Sequence, residues 1–369
     1  MNGRFILGAV CLLLSPTLHG QTAAPASPPR TIPVERSLAV GGQGYFPVAL
    51  RLRDGRIAVV LRGGGPHLSI QGRLDMIFSA DEGRTWSKPA VVVDSPLDDR
   101  NPSLGEAQDG TLVVGFWRTA TYDDKGKYEP KLDKPRNTWV TRSKDSGKTW
   151  SDAAEIDVSD IGIGSPFGKI VTLPDGAMLM AIYGFDIRPA GEKKPGDRNH
   201  SYVFRSTDNG QTWKRLSEIG DGKLQLNETS LLRLADGKIL AAARSRAGEV
   251  WTALSSDAGA TWSAPQHLTP ASVHPADLIL LPDNRVLITL GDRRKPNGVL
   301  GMVGDAAGTF NWDKHFTLMD DAASADCGYP SNVLLKDGKV LTVYYATKAL
   351  GQPAWGVHCG ALIYAVPVE

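Results

Sequence analysis

Apolar residues flank a short polar turn at six places along the chain. Each place has the same form, as in LRDGRI and LKDGKV: apolar residues, an Asp followed by Gly or Asn, and further apolar residues. Such a turn favours a hairpin of two strands, because Gly and Asn accept a positive φ. The six turns are Asp54-Gly55, Asp109-Gly110, Asp175-Gly176, Asp236-Gly237, Asp283-Asn284 and Asp337-Gly338. The pattern predicts six β-hairpins, and helical periodicity is nearly absent.

A second motif recurs once after each of the first five hairpins. Copies of S-x-D-x-G-x-T-W begin at Ser79, Ser143, Ser206 and Ser255, and a decayed copy, GDAAGTFNW, begins at Gly304. In such a turn the Ser and Asp side chains can bond backbone amides, the Gly permits a positive φ, and the Trp packs onto the sheet. The two repeats together predict an all-β fold, a six-bladed β-propeller with four strands in each blade.

The N-terminal segment has the pattern of a signal peptide. Arg4 precedes the apolar run 5–14, and helix-breaking and small residues follow. Ten apolar residues are too few to span a bilayer, so residues 1–20 are predicted to direct export to the periplasm or the medium. Residues 21–34 are rich in Pro and Ala and predict a linker. The propeller is then expected over 35–369, with VERSLAV closing the ring beside the last strand, and no other segment is apolar enough to cross a membrane.

Composition and charge narrow the range of partners. The chain has 41 Lys and Arg against 40 Asp and Glu. This balance argues against a nucleic-acid or anionic-membrane surface. The sequence contains no zinc-type cysteine spacing, phosphate-binding loop or dinucleotide fingerprint, so we expect no cofactor and no metal, and a monomer. Outside the signal peptide only Cys327 and Cys359 remain, which can form a disulfide or stay as two buried thiols.

Side chains at a fixed distance from each hairpin predict a binding site. The innermost strand of a blade ends at the hairpin, so positions eight residues before and after the hairpin Asp mark the mouth of the central funnel. The positions before it are Phe46, Asn101, Phe167, Glu228, Pro275 and Tyr329; those after it are Arg62, Trp117, Tyr183, Arg244, Gly291 and Tyr345. Polar and aromatic side chains dominate both sets, which favours a ligand site over a purely structural ring. The alternative is a polar, water-filled channel.

The repeats and hairpins together resemble the sialidase superfamily over nearly the whole mature chain. In that family the turn motif is structural, and the nucleophile is a Tyr with a Glu partner. The resemblance assigns these roles to Tyr329 and Glu228. A phenol with a reference pKa of about 10 needs such an adjacent base. The resemblance also makes Arg244 one of three arginines that hold the substrate carboxylate, and makes Arg62 a pocket-lining arginine; Glu228 can also form a salt bridge with Arg244.

Two of the three family arginines are replaced. The R-I-P motif of sialidases corresponds to Tyr45-Phe46-Pro47, so Tyr45 stands where the first arginine is expected. Leu300 and Met302 occupy the strand on which the third arginine is expected. Arg293, with Arg294 beside it, is the nearest substitute.

The acid/base residue also differs from the family pattern. The family places an Asp in the loop after the first hairpin, where this chain has GGGPHLSIQGRLD. His67 lies closest to the expected place, and Asp75 is the second candidate. His274 at the mouth of the fifth blade can bind a sugar hydroxyl or a metal, or it can serve the fold alone. Arg100 and Asn101 can offer further polar contacts to a glycan.

These residues favour an exported exo-glycosidase that acts on terminal acidic or related sugars of a glycan or oligosaccharide. The first alternative is a glycan-binding propeller without catalysis, which the incomplete arginine set favours. The second is a polysaccharide lyase in which His67 and Tyr329 act as base and acid around a uronate that Arg244 holds.

Overall fold

The computed structural model describes residues 30–129, 136–161, 163–185, 199–348 and 356–367. The predicted signal peptide and the first part of the predicted linker lie outside the described residues. The described part is all-β, with two short 3-10 helices between strands. None of its helices has the length and apolar character that crossing a membrane requires.

The strands follow the six hairpins in chain order. Two N-terminal strands, which join sheets formed later in the chain, are β1 (Arg30–Thr31) and β2 (Glu35–Gly41). The first hairpin unit comprises β3 (Tyr45–Arg51), β4 (Ile57–Gly63), β5 (Arg73–Ser79) and β6 (Ala90–Val93). The second comprises β7 (Asp98–Glu106), β8 (Leu112–Thr119), β9 (Arg136–Ser143) and β10 (Ala154–Ile156).

The third unit begins with the 3-10 helix η1 (Ser159–Ile161) and continues with β11 (Ser165–Thr172), β12 (Met178–Phe185), β13 (Asn199–Ser206) and β14 (Lys214–Ile219). The fourth comprises β15 (Asn227–Arg233), β16 (Ile239–Arg244), β17 (Val250–Ser255) and β18 (Gln266–His267). The fifth comprises β19 (Val273–Leu280), β20 (Val286–Asp292), β21 (Asn297–Gly304), the 3-10 helix η2 (Trp312–Lys314) and β22 (Phe316–Ala322). The last comprises β23 (Cys327–Leu334), β24 (Val340–Ala346) and β25 (His358–Tyr364).

The N-terminal strands tie the two ends of the fold together. Strand β2 pairs antiparallel with β25 and completes a four-stranded sheet with β24 and β23, as the sequence predicts. Strand β1 adds a fifth, parallel strand to the sheet of β19 to β22. Ile32, between β1 and β2, is buried in the core beside Phe316. Part of the predicted linker therefore belongs to the fold.

The prediction of six separate blades is wrong in its count. The described residues form a propeller-like arrangement of four separate sheets of four or five strands and one sheet of eight strands. The larger sheet joins the second and third hairpin units through a short parallel pairing, in which Gly168 and Lys169 of β11 face Ser103 and Leu104 of β7. Gly105 allows this approach, because a Cβ there would lie 2.6 Å from the Cβ of Ile170. The turn pattern carries no information on this contact.

The repeated turns are structural, as the sequence predicts. In the first copy the hydroxyl of Ser79 accepts a 2.8 Å hydrogen bond from the amide of Gly83. The carboxylate of Asp81 accepts bonds from the amide and the hydroxyl of Thr85, at 2.9 and 2.6 Å. Hydrogen bonds from Thr85 lower the pKa of Asp81 to about 2. The Ser, Asp and Thr side chains of this turn are therefore hydrogen-bonded where the strand ends.

The apolar core lies between neighbouring sheets. Leu61 of β4 packs in one cluster with Leu341 of β24, and Met76 of β5 packs in another with Val114 of β8. Burying these side chains is the main favourable contribution to folding. Cys327 and Cys359 are buried free thiols and form no disulfide.

Candidate active site

The inner strands bulge where they reach the mouth of the funnel. In all six units the pairing of the inner strand with the next strand shifts in register close to the start of the inner strand. Four non-glycine residues at these bulges adopt positive φ: Phe46 (54°), Asn101 (50°), Glu228 (29°) and Tyr329 (50°). Such backbone is uncommon outside glycine, and bulges re-aim side chains beside active sites. The bulges therefore turn these four side chains toward one another.

Tyr329 and Glu228 form a direct hydrogen bond at the centre of this site. The phenol of Tyr329 donates to Oε1 of Glu228 at 2.5 Å. Arg244 donates from Nη1 to the other carboxylate oxygen, Oε2, at 2.8 Å. Tyr329 is 8% exposed and Glu228 is 5% exposed. The carboxylate is thus held at both oxygens in a site with little access for water.

The electrostatics of this pair leave the phenol protonated and the carboxylate charged. Burial, and then the charge of Glu228, raises the pKa of Tyr329 well above its ordinary value. Burial alone would raise the pKa of Glu228, but the charge of Arg244 and the hydrogen bond from Tyr329 bring it below its ordinary value. Glu228 is therefore placed and charged to accept the proton of Tyr329.

Arg244, Arg293 and His274 give one side of the site a cationic and hydrogen-bonding character. The guanidinium carbon of Arg293 lies 5.5 Å from the centre of the Tyr329 ring. Within the described chain, Nε of both arginines and Nδ1 of His274 are buried without a hydrogen-bond partner. Buried polar atoms of this kind usually find partners, and arginines bind carboxylates in a bidentate manner. The arrangement suits an anionic group of a ligand.

His274 is held in its neutral form. Burial, and then the positive charges of Arg244 and Arg293, lowers the pKa of His274 to about 3. A neutral imidazole can both donate and accept a hydrogen bond. His274 therefore adds a hydrogen-bonding group to this side of the site and no third charge.

Arg294, the neighbour of Arg293, is engaged elsewhere. Its guanidinium donates to both carboxylate oxygens of Asp292 at 2.8 Å and lies 5.6 Å from the ring centre of Trp312. Of the two arginines that can replace the third family arginine, only Arg293 therefore lies beside Tyr329.

Aromatic rings give another part of the site an apolar character. Phe46 lies 4.9 Å from Tyr329, Tyr345 lies 5.5 Å from Tyr329, and Tyr45 lies 5.3 Å from Tyr345, measured between ring centres. Phe167 lies 5.9 Å from Tyr329. We call Tyr45, Phe46, Phe167 and Tyr345 the aromatic wall. Aromatic faces of this kind can pack against the apolar face of a sugar.

The inner strands leave little free space behind these rings. A cavity of about 10 Å³ is bordered by Phe46, Asn101, Phe167 and Tyr329 and by residues that follow them on the same strands. This volume admits about one water molecule.

His67 lies against the aromatic wall and is bound to Asp326. Its ring centre is 5.0 Å from that of Phe46 and 5.3 Å from that of Tyr45. Nδ1 of His67 lies 3.0 and 3.1 Å from the two carboxylate oxygens of Asp326. Tyr345 donates to Oδ1 of the same carboxylate at 2.6 Å. The structure thus joins the predicted acid/base residue to the site.

Asp75, the second acid/base candidate, lies away from these contacts. Its side chain is fully buried and ion-paired with Arg73 at 2.9 Å. Burial raises the pKa of Asp75 in spite of the hydrogen bond from Arg73. No hydrogen bond, ion pair or ring contact within the described residues joins it to Tyr329 or to the aromatic wall, and we therefore assign Asp75 to the packing of β5.

Arg62 is not placed to hold a substrate. The residue is 0% exposed, and each nitrogen of its guanidinium already donates hydrogen bonds. Its acceptors are Oδ1 of Asp98 at 3.0 and 2.8 Å and the carbonyls of Gly65, Pro66 and Ser69 at 3.4, 2.6 and 3.1 Å. Arg62 therefore anchors the loop that carries His67, which corrects its predicted role as a clamp.

Arg100 and Asn101 border the aromatic wall. The guanidinium of Arg100 binds Oδ2 of Asp98 at 3.1 Å and lies 5.8 Å from the ring centre of Phe46. The amide of Asn101 donates to the phenol of Tyr183 at 3.3 Å. Contact with a ligand stays a prediction for both. Within the described residues no three His, Cys, Asp or Glu side chains gather as a metal site would require.

Comparison with known protein families identifies the family of this chain. Residues 76–342 match the family described as BNR repeat-like domain. The chain belongs to this family. A sialidase from Paraclostridium sordellii is 25% identical over 185 residues, which cover 45% of this chain and 43% of that protein. The chain therefore spans less than half the length of the curated relative that it matches. These findings confirm the predicted membership of the sialidase and BNR-repeat superfamily.

Solved structures share the fold of this BNR-repeat protein. A protein of unknown function from Dyadobacter fermentans superposes with a TM-score of 0.78 at 22% identity, covering 90% of this chain and 98% of that chain. The intramolecular trans-sialidase from Ruminococcus gnavus, in complex with oseltamivir carboxylate, gives 0.64 at 13% identity, covering 89% and 96%. The NanB sialidase from Streptococcus pneumoniae gives 0.64 at 13% identity, covering 95% and 73%. At these identities the likeness shows the fold alone.

Sequence reasoning missed one member of the site in this BNR-repeat protein. Asp326 contacts both His67 and Tyr345, yet neither the hairpin spacing nor the family resemblance points to it. The available signal is its place three residues before Tyr329, at the start of the same inner strand. An acidic residue close to a candidate nucleophile at the mouth of the funnel is itself a candidate site residue.

Proposed function

We propose that this BNR-repeat protein is an exported glycoside hydrolase that releases a terminal acidic or related sugar from a glycan. Tyr329 is the nucleophile and Glu228 is its base. The observation that carries the proposal is the 2.5 Å hydrogen bond between the phenol of Tyr329 and Oε1 of Glu228. The sialidase from Paraclostridium sordellii, as a relative of 25% identity, supports the same class of reaction.

The need for a base follows from the chemistry of the phenol. With a reference pKa of about 10, only about one phenol in a thousand is ionised at pH 7. Burial raises the pKa of Tyr329 further, so a free phenolate is rarer still. An ionised Glu228 removes this obstacle because it takes the proton as the oxygen attacks.

The first step joins the sugar to the protein. The oxygen of Tyr329 attacks the anomeric carbon while its proton moves to Oε1 of Glu228. The bond from the anomeric carbon to the leaving oxygen breaks, and His67 protonates that oxygen. Arg244 and Arg293 hold an anionic group of the sugar, and neutral His274 binds a further polar group. The product of this step is a sugar linked to Tyr329 and a free aglycone.

The second step releases the sugar. His67, now neutral, takes a proton from water as that water attacks the anomeric carbon. The bond to Tyr329 breaks, and Glu228 returns the proton to the phenolate. Two displacements at the same carbon retain its configuration. Tyr329, Glu228 and His67 all end in the protonation state in which they began.

Export and the monomeric state are part of the proposal. The apolar run 5–14 after Arg4, followed by small and helix-breaking residues, supports a signal peptide at residues 1–20. N-terminal sequencing of the protein recovered from the periplasm and medium of a producing cell tests this. A new N-terminus near residue 20 is expected, and full-length protein in the cytoplasm would contradict export.

A glycan-binding protein without turnover is the second candidate. The observation that favours it is the loss of two cationic positions, since Tyr45 replaces one arginine and Arg62 is saturated by Asp98 and the loop carbonyls. A receptor site needs affinity and no nucleophile. In such a site a neutral hydrogen bond would serve as well as the buried pair of Tyr329 and Glu228. The pair therefore argues against a receptor without turnover.

The test is a release assay on sialylated, uronate-containing and neutral glycans. The wild type is compared with Tyr329→Phe and with Tyr364→Phe, which removes a buried phenol outside the site. Release of one terminal sugar by the wild type and by Tyr364→Phe, and not by Tyr329→Phe, is expected. Binding without release would support the receptor. An ultraviolet-absorbing unsaturated sugar would identify a lyase and overturn the hydrolase.

A further inference from the structure

We infer that Asp326 and Tyr45 are positioning residues that let His67 serve as the acid/base in place of a carboxylic acid. The inference rests on the proposed function for its catalytic meaning. Its structural content is independent of turnover: Asp326 fixes the orientation of the imidazole, and Tyr45 fills a place where a family arginine would bring a positive charge close to His67.

Asp326 fixes which nitrogen of His67 faces the substrate. Both of its oxygens lie within 3.1 Å of Nδ1. A hydrogen bond at one ring nitrogen sets the tautomer and the direction of the other. Nδ1 therefore carries its proton toward Asp326, and Nε2 exchanges the second proton with the leaving oxygen and with water.

Asp326 is itself held as an anion. Burial alone would raise its pKa, but hydrogen bonds from His67 and Tyr345 bring the pKa below its ordinary value. Tyr345, with its pKa raised by burial and by the charges of Tyr329 and Asp326, remains a neutral donor. The imidazole thus faces a carboxylate that keeps its charge at neutral pH.

Tyr45 connects two differences from the sialidase pattern, which are the replacement of the first arginine and the replacement of the acid/base Asp. Its ring lies 5.3 Å from the ring of His67 and 5.3 Å from that of Tyr345. An arginine at position 45 would place a positive charge beside a histidine that must itself become positive to act as an acid. Tyrosine provides a packing surface without that charge. The exchange of the arginine and the exchange of the acid/base Asp are therefore coupled changes.

The other charged groups near His67 fit this account. Arg62 shares the carboxylate of Asp98 with Arg100 and holds the loop by its carbonyls at 65, 66 and 69. Arg293, which directly follows β20, acts electrostatically on Asp326 and Tyr345. Of the two histidines in the described site, only His67 is hydrogen-bonded to a carboxylate. His274 lies close to the positive charges of Arg244 and Arg293.

Nuclear magnetic resonance of histidine-labelled protein tests the inference without any substrate. His67→Gln assigns the signals of His67. Asp326→Asn keeps an acceptor for Tyr345 and removes the charge, so the share of His67 in the Nδ1-protonated tautomer, read from the ring ¹⁵N shifts, should fall. Tyr45→Arg, which brings a guanidinium near the carboxylate of Asp326, should lower this share as well, whereas Tyr45→Phe should not. Glu218→Gln, which alters the separate pair of His200 and Glu218, is the control and should leave His67 unchanged.

Leaving-group dependence tests the catalytic meaning. The probes are 3′-sialyllactose and the 4-methylumbelliferyl glycoside of N-acetylneuraminic acid, whose aryl group leaves without an acid. Asp326→Asn should slow the first substrate about ten- to hundred-fold more than the second. Equal losses on both, or an unchanged tautomer of His67, would overturn the inference. A changed tautomer in a protein whose activity Tyr329→Phe does not impair would support the contact between His67 and Asp326 and refute the proposed function.

Discussion

The phenol of Tyr329 on β23 donates a 2.5 Å hydrogen bond to Oε1 of Glu228 on β15, a residue 101 positions earlier in the chain. Each of the two residues sits at a bulge with a positive φ. The site therefore depends on the packing of distant inner strands and on strained backbone at their starts. Replacements in the site are expected to affect activity, and replacements between the strands are expected to affect stability.

Arg293 and Arg294 provide a matched pair of variants. Arg293→Gln should raise KM for an acidic sugar about ten- to hundred-fold, because it removes a charged hydrogen-bonding group beside Tyr329. Arg294→Gln should change KM little, since Arg294 is paired with Asp292. Initial rates over a range of substrate concentrations provide the measurement. Equal effects of the two variants would remove Arg293 from the site.

The ion pair between Lys169 and Asp277 should stabilise the fold across the sheets. Nζ of Lys169 on β11 lies 2.6 Å from Oδ2 of Asp277 on β19, and both side chains are largely buried. Lys169→Met leaves a buried carboxylate without its cation, which typically costs about 3–5 kcal/mol. Denaturation by urea measures this loss. Lys223→Met, at a pair that is exposed to solvent, should change the free energy of unfolding little, and an equally small loss for Lys169→Met would contradict the account.

Trp213 should matter for stability and not for chemistry. It is 6% exposed, and its ring nitrogen donates to the carbonyl of Gly210 at 3.1 Å. Trp213→Ala should lower the free energy of unfolding by about 3–5 kcal/mol. Trp150, at the same place in another copy of the turn, is only partly buried, so Trp150→Ala should cost less. Urea denaturation gives both values, and kcat of the folded variants should equal that of the wild type.

The repeated turns should make the fold sensitive to acid. The pKa of Asp81 falls from an ordinary value of 3.8 to about 2, first because of hydrogen bonds from Thr85. A lowered pKa stabilises the folded state above the ordinary value, and this contribution is lost as the pH falls from 3.8 toward 2. Unfolding free energies measured across this range should therefore fall less steeply for Asp81→Asn than for the wild type. An equal slope would show that Asp81 is not linked to folding.

Local patterns predicted most of the fold. Each hairpin and each repeated turn is one contiguous stretch of sequence. Its glycine permits a positive φ, and the aspartate of the repeated turn bonds backbone amides. Comparison at fixed distances from each hairpin placed Tyr329 and Glu228 at the mouth of the funnel, and the resemblance to sialidases paired them. The eight-stranded sheet escaped prediction because it depends on two pairs of residues in neighbouring inner strands, where Gly105 permits a close approach.

The partners of buried charges could not be predicted from these patterns. Arg62 has the position of a pocket arginine, but Asp98, 36 residues away, and the carbonyls of its own loop use all its nitrogens. His67 and Asp326 are 259 residues apart, so only the folded chain shows their contact. Asp75 is the second acid/base candidate from the family pattern, and the folded chain makes it a buried partner of Arg73 on β5.

Covalent trapping tests the central claim most directly. The protein is incubated with the activated fluorosugar that corresponds to the sugar released in the glycan assay, and intact-mass and peptide mass spectrometry follow. The account predicts a mass increase of one glycosyl residue located on Tyr329, present in Tyr364→Phe and absent from Tyr329→Phe. Turnover of substrate without an adduct, or an adduct on another residue, would contradict Tyr329 as the nucleophile.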